Sequence, residues 1–400
     1  MRKVAHGGHV FTTFLHYPPL IWYILPLLSQ LSSFFLHFFN ILLIFQLVFF
    51  KKIYTCVIII YMILFFSKKY VKTLTILLFT FLFACSYNEN STLNRNPKKV
   101  GVSKDYGNET KDIVIFSTND TYSAYDDYLG YAGIKHYIDH FDRNGNYITL
   151  VDTGNFTIGS EAAYISKGKS SIEIMKAVGY DLIVPGSFDF DYGIDTFLEN
   201  MNEFKDKVVC CNLINLKTKT LVFNPYVIYK YGNEKVAFVG VTSPEALYLQ
   251  EDDNMFYDEN GEQIYYFCED DTGIALYNQV QKYVNEAKKN GATKVILLAH
   301  LGISGTINKW TSTEVIGNTK DIDGVIDGHS MEVLENGLMV NNHGAFVPLV
   351  QAGSQLKYLG AMNITNEGYS FPAVISDRSI KNKDENILKL INELKEKYKS

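Results

Sequence analysis

Five short polar segments of the chain could carry chemistry, because each follows an apolar, β-rich run. Polar residues at strand ends and in the loops that follow them form the sites of open α/β sheets, since these loops converge on one edge of the sheet. The segments supply aspartate, asparagine, serine and histidine, which bind polar ligands and exchange protons. They are 117–122 (STNDTY), 152–155 (DTGN), 186–191 (GSFDFD), 299–302 (AHLG) and 327–331 (DGHSM).

The order and spacing of these segments resemble the five metal-binding motifs of the 5'-nucleotidases, a family within the calcineurin-like metallophosphoesterases. The family carries TND-x-H, GD, GNHEFD, a strand ending in H-x-G, and GHSH or GHSQ, in this order. The resemblance covers about residues 111–366 and extends to framing segments such as 130–138, 168–180 and 350–360. It implies metal-dependent hydrolysis of nucleotide phosphate monoesters, with Mn, Zn, Co or Mg as the divalent metal and a nucleotide or other phosphate ester as the ligand.

Four residues match the metal-binding positions of the family or replace its bridging residue. The resemblance places Asp120 at the first metal, and His300 and His329 at the second. Asn155 occupies the position of the aspartate that bridges both metals. A two-metal site holds its cations about 3.5–4 Å apart by sharing an anion between them, and the neutral side chain of Asn155 cannot supply that anion.

The remaining motif positions are also substituted. Tyr122 replaces the histidine of the first motif, Ser187 the asparagine of the third, and Met331 the final ligand of the last. Phe188 stands in place of the catalytic histidine, whereas Asp191, which orients that histidine in the family, is retained. A phenol with an unperturbed pKa of about 10 is a poor ligand near neutrality, and a thioether is too soft for Mn or Mg. These substitutions predict that metal binding and hydrolysis are weak or lost.

Three alternatives stay open for the retained polar residues. The retained aspartate could cap a turn, while the two histidines are buried and hydrogen-bonded to the backbone. A single-metal site could instead use the two histidines with Asn155 or Asp120. A substitute ligand could also be recruited from Asp189 or His343.

The elements that must position these segments follow from the periodicity of the apolar residues. Between 113 and 201, β-rich runs alternate with helical patterns, which is typical of layered α/β packing. A hairpin is predicted at 226–239 around Gly232-Asn233, a strand at 208–212, and a terminal amphipathic helix at 387–398. With the resemblance, this order predicts a four-layer α/β/β/α sandwich with two mixed β-sheets, preceded by a hydrophobic N-terminal leader.

The leader, residues 1–84, contains no aspartate or glutamate and has long apolar runs. The uncharged run 10–50 is long enough to span a membrane, which is one interpretation. In the other, the residues from Met62 resemble a bacterial lipoprotein signal, with basic residues at its start, an apolar run and the sequence LFAC ending at Cys85. Cys85 is then lipidated, 62–84 is the signal peptide and 1–61 is an upstream extension.

The rest of the chain is predicted to comprise a polar tether at 85–110, a 5'-nucleotidase-like domain at 111–366 and a C-terminal extension with a helix at 367–400. The net charge is −6, and the seven charged residues before Cys85 are all basic, so the remainder is more acidic still. An acidic domain argues against nucleic-acid binding. No protein partner can be identified.

Together these features predict an exported, membrane-anchored protein in the periplasm or at the cell surface, held by a lipid or by the leader. The leading hypothesis is a 5'-nucleotidase-like protein in which hydrolysis of phosphate esters is weak or lost. The alternative is a non-catalytic surface lipoprotein that uses the scaffold to bind a ligand or a protein.

Overall fold

Two large β-sheets face each other, and helices cover their outer faces. The computed structural model describes residues 101–143, 145–204, 206–249, 255–376 and 380–400. The predicted leader at 1–84, the signal peptide at 62–84, Cys85 and the tether residues up to 100 lie outside the described residues.

The first sheet has seven strands and is mixed. In spatial order these are β1 (Val102–Asp105), β7 (Tyr226–Tyr231), β8 (Glu234–Thr242), β10 (Lys294–His300), β11 (Gly324–Ile326), β13 (Phe346–Ala352) and β12 (Val333–Val340). Strands β8, β10, β11 and β13 run parallel, whereas β7 and β12 pair antiparallel with their neighbours β8 and β13.

The second sheet has five strands and is also mixed. In spatial order these are β15 (Ser370–Ser376), β14 (Tyr358–Ile364), β2 (Asp112–Thr118), β3 (Asn146–Asp152) and β4 (Leu182–Ile183). Strands β2, β3 and β4 run parallel, and β14 is antiparallel to both of its neighbours.

Helices surround this pair of sheets. Those among the described residues are α1 (Gly130–His140), α2 (Glu161–Ser166), α3 (Lys169–Val178), α4 (Ile194–Asn200), α5 (Ile274–Lys289), α6 (Ser312–Asn318) and α7 (Glu385–Lys397). Short 3₁₀ turns lie at Ser187–Phe190, Met201–Phe204, Pro244–Leu247 and Asn308–Trp310. None of the helices in these ranges has the length and apolarity needed to cross a membrane.

Apolar side chains fill three core layers, one between the two sheets and one on the outer face of each sheet. In strand β8, Phe238 lies in the cluster between the sheets, while its neighbour Val239 lies in the outer cluster under α5 and α6. Alternation of this kind buries both faces of a strand. On the other side, Ile134 and Ile391 join the cluster that α1 and α7 form against the second sheet. The predicted four-layer α/β/β/α arrangement is confirmed.

Two details of the strands differ from the expectations. A small antiparallel sheet of β6 (Thr220–Leu221), β5 (Leu213–Asn215) and β9 (Tyr265–Phe267) was not predicted, because its strands are too short to show a period. The predicted strand at 208–212 is wrong. Val208 pairs with Ile183 of the second sheet, but Cys211 N donates to Gly240 O of the first, so the segment crosses between sheets and forms no ladder.

The predicted tether and extension both contain elements of the sandwich. Strand β1 lies within the range 85–110 and pairs parallel with β7. Strand β15 and helix α7 lie within 367–400 and pack on the second sheet, and Asp384 caps α7 through a hydrogen bond from Ile387 N to its Oδ1 at 2.9 Å. These elements all belong to one compact unit. The domain boundaries themselves stay a prediction.

Candidate functional site

The polar segments meet where the carboxyl ends of the parallel strands of both sheets come together. Strands β2 and β3 end side by side, with Thr118 opposite Asp152, and β10 ends at His300 in the other sheet. The loops approach so closely that a Cβ on Gly154 would lie 2.4 Å from Gly186 Cα and 2.7 Å from His300 Nδ1. Gly154 has a φ of +97°, so this position favours glycine on both grounds.

Asp120 lies at the centre of this meeting point and is fully buried. Its Oδ1 accepts a hydrogen bond from Asn155 Nδ2 at 2.8 Å. Its Oδ2 accepts from Asn119 Nδ2 and from the His329 backbone N–H, both at 2.8 Å. Burial raises the pKa of Asp120 to about 6, although these hydrogen bonds act in the opposite direction. The carboxylate therefore joins three of the polar segments and does more than cap its own turn.

Asn155, at the bridging position, has its amide committed on both sides. Its Oδ1 accepts from Phe188 N at 2.9 Å, and its Nδ2 donates to Asp120 Oδ1 and, at 3.3 Å, to Tyr122 Oη. Burial and the charge of Asp120 raise the pKa of the Tyr122 phenol above its usual value, so the phenol stays protonated. The bridging position thus presents N–H donors, which repel a cation.

His300 is fully buried at the end of β10. Its Nδ1 is 2.6 Å from Thr153 O, and because a carbonyl only accepts, Nδ1 must carry the proton. Burial and the nearby His329, whose ring centroid is 5.0 Å away, hold the pKa of His300 well below its usual value. Its Nε2 is therefore an unprotonated nitrogen, buried and without a hydrogen-bond partner among the described residues, as a metal ligand would be.

His329 is held by two side chains. Its Nε2 is 3.0 Å from Glu245 Oε2, and its Nδ1 is 3.4 Å from Ser187 Oγ. The side chains of His329 and Glu245 are only 9% and 5% exposed. Burial opposes ionisation of Glu245, but the hydrogen bonds from His329 and from Ile307 N outweigh it and keep the pKa of Glu245 below its usual value.

Glu245 belongs to none of the five polar segments, and the sequence reasoning missed it. It lies in the 3₁₀ turn Pro244–Leu247, directly after β8, and Ser243 Oγ caps this turn by accepting from Glu245 N at 3.2 Å. Because β8 runs parallel to β10, its carboxyl end lies at the same edge as His300. The sequence therefore contained a signal that could have identified Glu245, because the polar segment TSPE at 242–245 follows an apolar strand.

Of the two candidate substitute ligands, Asp189 is already fully hydrogen-bonded and His343 lies away from the polar segments. The carboxylate of Asp189 accepts from four backbone N–H groups, those of Asn155, Phe156, Thr157 and Gly186, and from Thr157 Oγ1. Asp189 thus braces the loops. His343 is exposed in the turn between β12 and β13 and lines a separate pocket of about 520 Å³ at the opposite end of β13.

Three further motif positions are exposed or only partly buried. Met331 is 48% exposed and has a φ of +55°, so it lies at the surface beside the site. Phe188 is partly buried in the 3₁₀ turn, and Asp191 follows that turn at an exposed position.

The arrangement does not fit the two-metal centre that the resemblance implies. Asp120 and Asn155 hydrogen-bond to each other, and Asp120 also accepts from the His329 backbone N–H. The Nε2 of His329 lies against the carboxylate of Glu245. Of the polar atoms described above, the Nε2 of His300 has the unshared lone pair expected of a ligand. Within the ranges that the structure describes, no group of three or more histidine, cysteine, aspartate or glutamate side chains could hold a metal ion.

Similar proteins were found among curated sequences, although no family model matches the chain. Snake venom 5'-nucleotidase from Gloydius brevicauda is 23% identical over 287 residues, which are 63% of this chain and 45% of that protein. 5'-Nucleotidase from Bos taurus is 24% identical over 257 residues, 59% of this chain and 41% of that protein. The 2',3'-cyclic-nucleotide 2'-phosphodiesterase/3'-nucleotidase of Haemophilus influenzae is 27% identical over 263 residues, 58% and 38% of the two chains. The chain spans less than half the length of these relatives.

Solved structures share the fold. The 5'-nucleotidase precursor from Thermus thermophilus has a TM-score of 0.58 at 18% identity, covering 72% of this chain and 59% of that one. The calcineurin-like phosphoesterase YfkN from Bacillus subtilis has a TM-score of 0.56 at 20% identity, covering 72% and 98%. The predicted resemblance is confirmed, since the relatives and structural neighbours of the chain are 5'-nucleotidases of the calcineurin-like metallophosphoesterase superfamily.

Proposed function

We propose that this protein is an exported, 5'-nucleotidase-like member of the metallophosphoesterases in which the family reaction is weak or lost. The reaction is metal-dependent hydrolysis of nucleotide phosphate monoesters, and the names of the curated relatives specify nucleotide substrates. A nucleotide or related phosphate ester is therefore the ligand class for any residual activity, with Mn, Zn, Co or Mg as its metal.

The observation that carries this proposal is the environment of Asn155. A metal-bridging group must be an anion, because two dications about 3.5–4 Å apart repel each other strongly unless a negative charge lies between them. Asn155 is neutral, its nitrogen donates to Asp120 and its oxygen accepts from Phe188 N. Its nitrogen has no lone pair to offer a cation, and its oxygen carries no negative charge and already accepts a hydrogen bond.

The position of the catalytic histidine supports the same conclusion. A phosphate monoester needs a proton for its leaving alkoxide, and a positioned acid commonly accelerates such a step by about 10²–10⁴-fold. Phe188 has no ionisable group and cannot supply this proton. The chain thus lacks both the bridging anion and the acid at the positions where the family has them.

A second candidate is a non-catalytic surface lipoprotein that binds a ligand or a protein. It is favoured by the loops themselves, which are buried and joined by protein hydrogen bonds although most ligand residues are replaced. Such loops can keep a binding surface in shape after hydrolysis has been lost.

The test is phosphate release from AMP and from p-nitrophenyl phosphate. The full chain is purified in mild detergent and assayed with Mn²⁺, Co²⁺, Zn²⁺ and Mg²⁺ in turn, and release is expected to stay near background with every metal. His329→Ala and the distant His343→Ala are assayed in parallel. Robust metal-dependent turnover that disappears in His329→Ala but persists in His343→Ala would show that the family reaction is intact.

A further inference from the structure

The loops that would share metal ions in a two-metal enzyme are joined here by side chains. We infer that Asn155 and Glu245 take over the cross-linking role of the metals and hold these loops in a metal-independent arrangement. The residues Asp120, Asn155, Ser187, Glu245 and His329 form this loop clamp. The inference rests on the proposed function, because it assumes that the chain no longer depends on a two-metal centre.

The first half of the loop clamp is centred on Asn155. Its Nδ2 donates to Asp120 Oδ1 at 2.8 Å, and its Oδ1 accepts from Phe188 N at 2.9 Å. One amide therefore joins the segments 117–122, 152–155 and 186–191. An aspartate cannot make the first of these contacts unless one of the two carboxyl groups is protonated, so the replacement by asparagine suits a site without a cation.

The second half is centred on His329, between Glu245 Oε2 at 3.0 Å and Ser187 Oγ at 3.4 Å. Glu245 is anchored in turn by Ile307 N, which donates to its Oε1 at 2.7 Å. This half joins the end of β8 to the segments 186–191 and 327–331. Glu245 comes from outside the five polar segments, so it adds a connection that their metal motifs do not contain.

The two halves are themselves connected, because the His329 backbone N–H donates to Asp120 Oδ2 at 2.8 Å. All five members are buried or nearly so. A buried polar atom that loses its partner costs more than the hydrogen bond was worth, and connected hydrogen bonds strengthen one another. A cation entering at Asp120 or His329 would have to displace contacts of the loop clamp. Metal should therefore add little to the stability of the wild-type chain.

The first experiment measures the thermal unfolding of the full chain in detergent, with EDTA and with excess Mn²⁺ or Zn²⁺. The wild-type unfolding temperature is expected to be the same in all conditions. Asn155→Asp places a carboxylate against Asp120, so its unfolding temperature should fall by about 5 °C in EDTA. Asn285→Asp adds the same charge at an exposed position of α5 and should show no such fall.

The second experiment tests Glu245. Glu245→Ala leaves the Nε2 of His329 buried without this partner, and the unfolding temperature should fall by about 5 °C in EDTA and in Mn²⁺ alike. Glu245→Gln retains a polar partner for His329 and should lose less than half as much. Glu335→Ala, which removes an exposed carboxylate from β12, is the matched control and should be neutral.

The outcomes separate this inference from the proposed function. If EDTA lowers or Mn²⁺ raises the unfolding temperature of the wild-type chain, the loop clamp does not replace the metals, even when no phosphate is released. If the wild-type chain hydrolyses AMP while metal leaves its unfolding temperature unchanged, the proposed function is wrong but the inference of the loop clamp is not overturned. Equal stability of Glu245→Ala and Glu335→Ala also overturns the inference. The wild-type and Glu245 measurements decide the matter even if Asn155→Asp does not fold.

Discussion

At the scale of single residues, position 155 shows the main difference from the two-metal centre that the resemblance implies. An amide nitrogen lies there in place of a carboxylate oxygen. Asparagine and aspartate have nearly the same shape, so Asn155 fits where a bridging carboxylate would. Its Nδ2, however, donates to Asp120 and Tyr122 and cannot bind a cation. His300 Nε2 keeps the lone pair of a ligand and is buried, with no hydrogen-bond partner in the part of the chain that the structure describes. The amide nitrogen at position 155 thus engages the Asp120 carboxylate in a hydrogen bond, where a bridging carboxylate would share a cation with it.

A revertant tests this directly. Tyr122→His, Asn155→Asp, Ser187→Asn, Phe188→His and Met331→His together should create a site that retains Mn or Co, because the scaffold already brings most of these positions together. Asn155→Asp should be necessary, since it supplies the shared anion. Elemental analysis after desalting measures the bound metal, and the fourfold variant that keeps Asn155 is the control.

The revertant must first be shown to fold, by an unchanged circular dichroism spectrum. A folded fivefold variant that holds no more metal than the fourfold one would mean that the loops do not converge as those of the family do. The assignment of the site would then be wrong.

At the scale of elements, the site depends on parallel strands that end at one edge. Strands β2 and β3 of one sheet and β10 and β11 of the other carry four of the five polar segments, and β8 adds Glu245. The loops that follow these strands meet with almost no space between them. Gly154 shows this, since a Cβ there would meet the Gly186 backbone and the His300 ring.

The close approach of the loops predicts a large effect for Gly154→Ala. Gly179, at the end of α3, has the same φ of +97°, but a Cβ added there would have no neighbour within 4 Å. Gly179→Ala should therefore cost only the backbone strain, about 1 kcal/mol. Gly154→Ala adds a steric clash and should cost at least about 2 kcal/mol more. Urea unfolding of both variants measures the difference, and equal costs would show that the loops can separate freely.

At the scale of the whole molecule, the described residues form a single sandwich that incorporates β1 near its start and α7 at its end. Both termini of the predicted core domain are thus extended by elements that pack on it. The apolar leader and Cys85 precede this unit in sequence, and their role in export and anchoring stays a prediction.

The lipoprotein hypothesis predicts that expression of the chain from Met62 gives a protein labelled by palmitate. The basic residues, the apolar run and LFAC up to Cys85 provide the features that a lipoprotein signal requires. Metabolic labelling measures the product, and Cys85→Ala should abolish the label whereas Cys268→Ala should not. Equal labelling of Cys85→Ala and the unchanged chain would rule out lipidation at this residue.

Much of the fold was predictable because it depends on local periodicity. The hairpin at 226–239 and the terminal helix at 387–398 were each expected within a few residues of β7, β8 and α7. Short elements were missed, since two or three residues carry no period. The crossing at Cys210 and Cys211 was mistaken for a strand because burial between two sheets produces the same apolar sequence as pairing within one.

The sequence by itself determined the family resemblance, the order of the polar segments and which residue types stand at the motif positions, because these follow from residue identity and spacing. Only the tertiary structure decided how the remaining polar atoms are used. Hydrogen bonds between distant segments depend on angles and distances that spacing does not encode. Glu245 lies far from His329 in sequence and reaches it only through the parallel pairing of β8 with β10. The same geometry lets the amide of Asn155 join three loops, because it donates to Asp120 and accepts from Phe188 N.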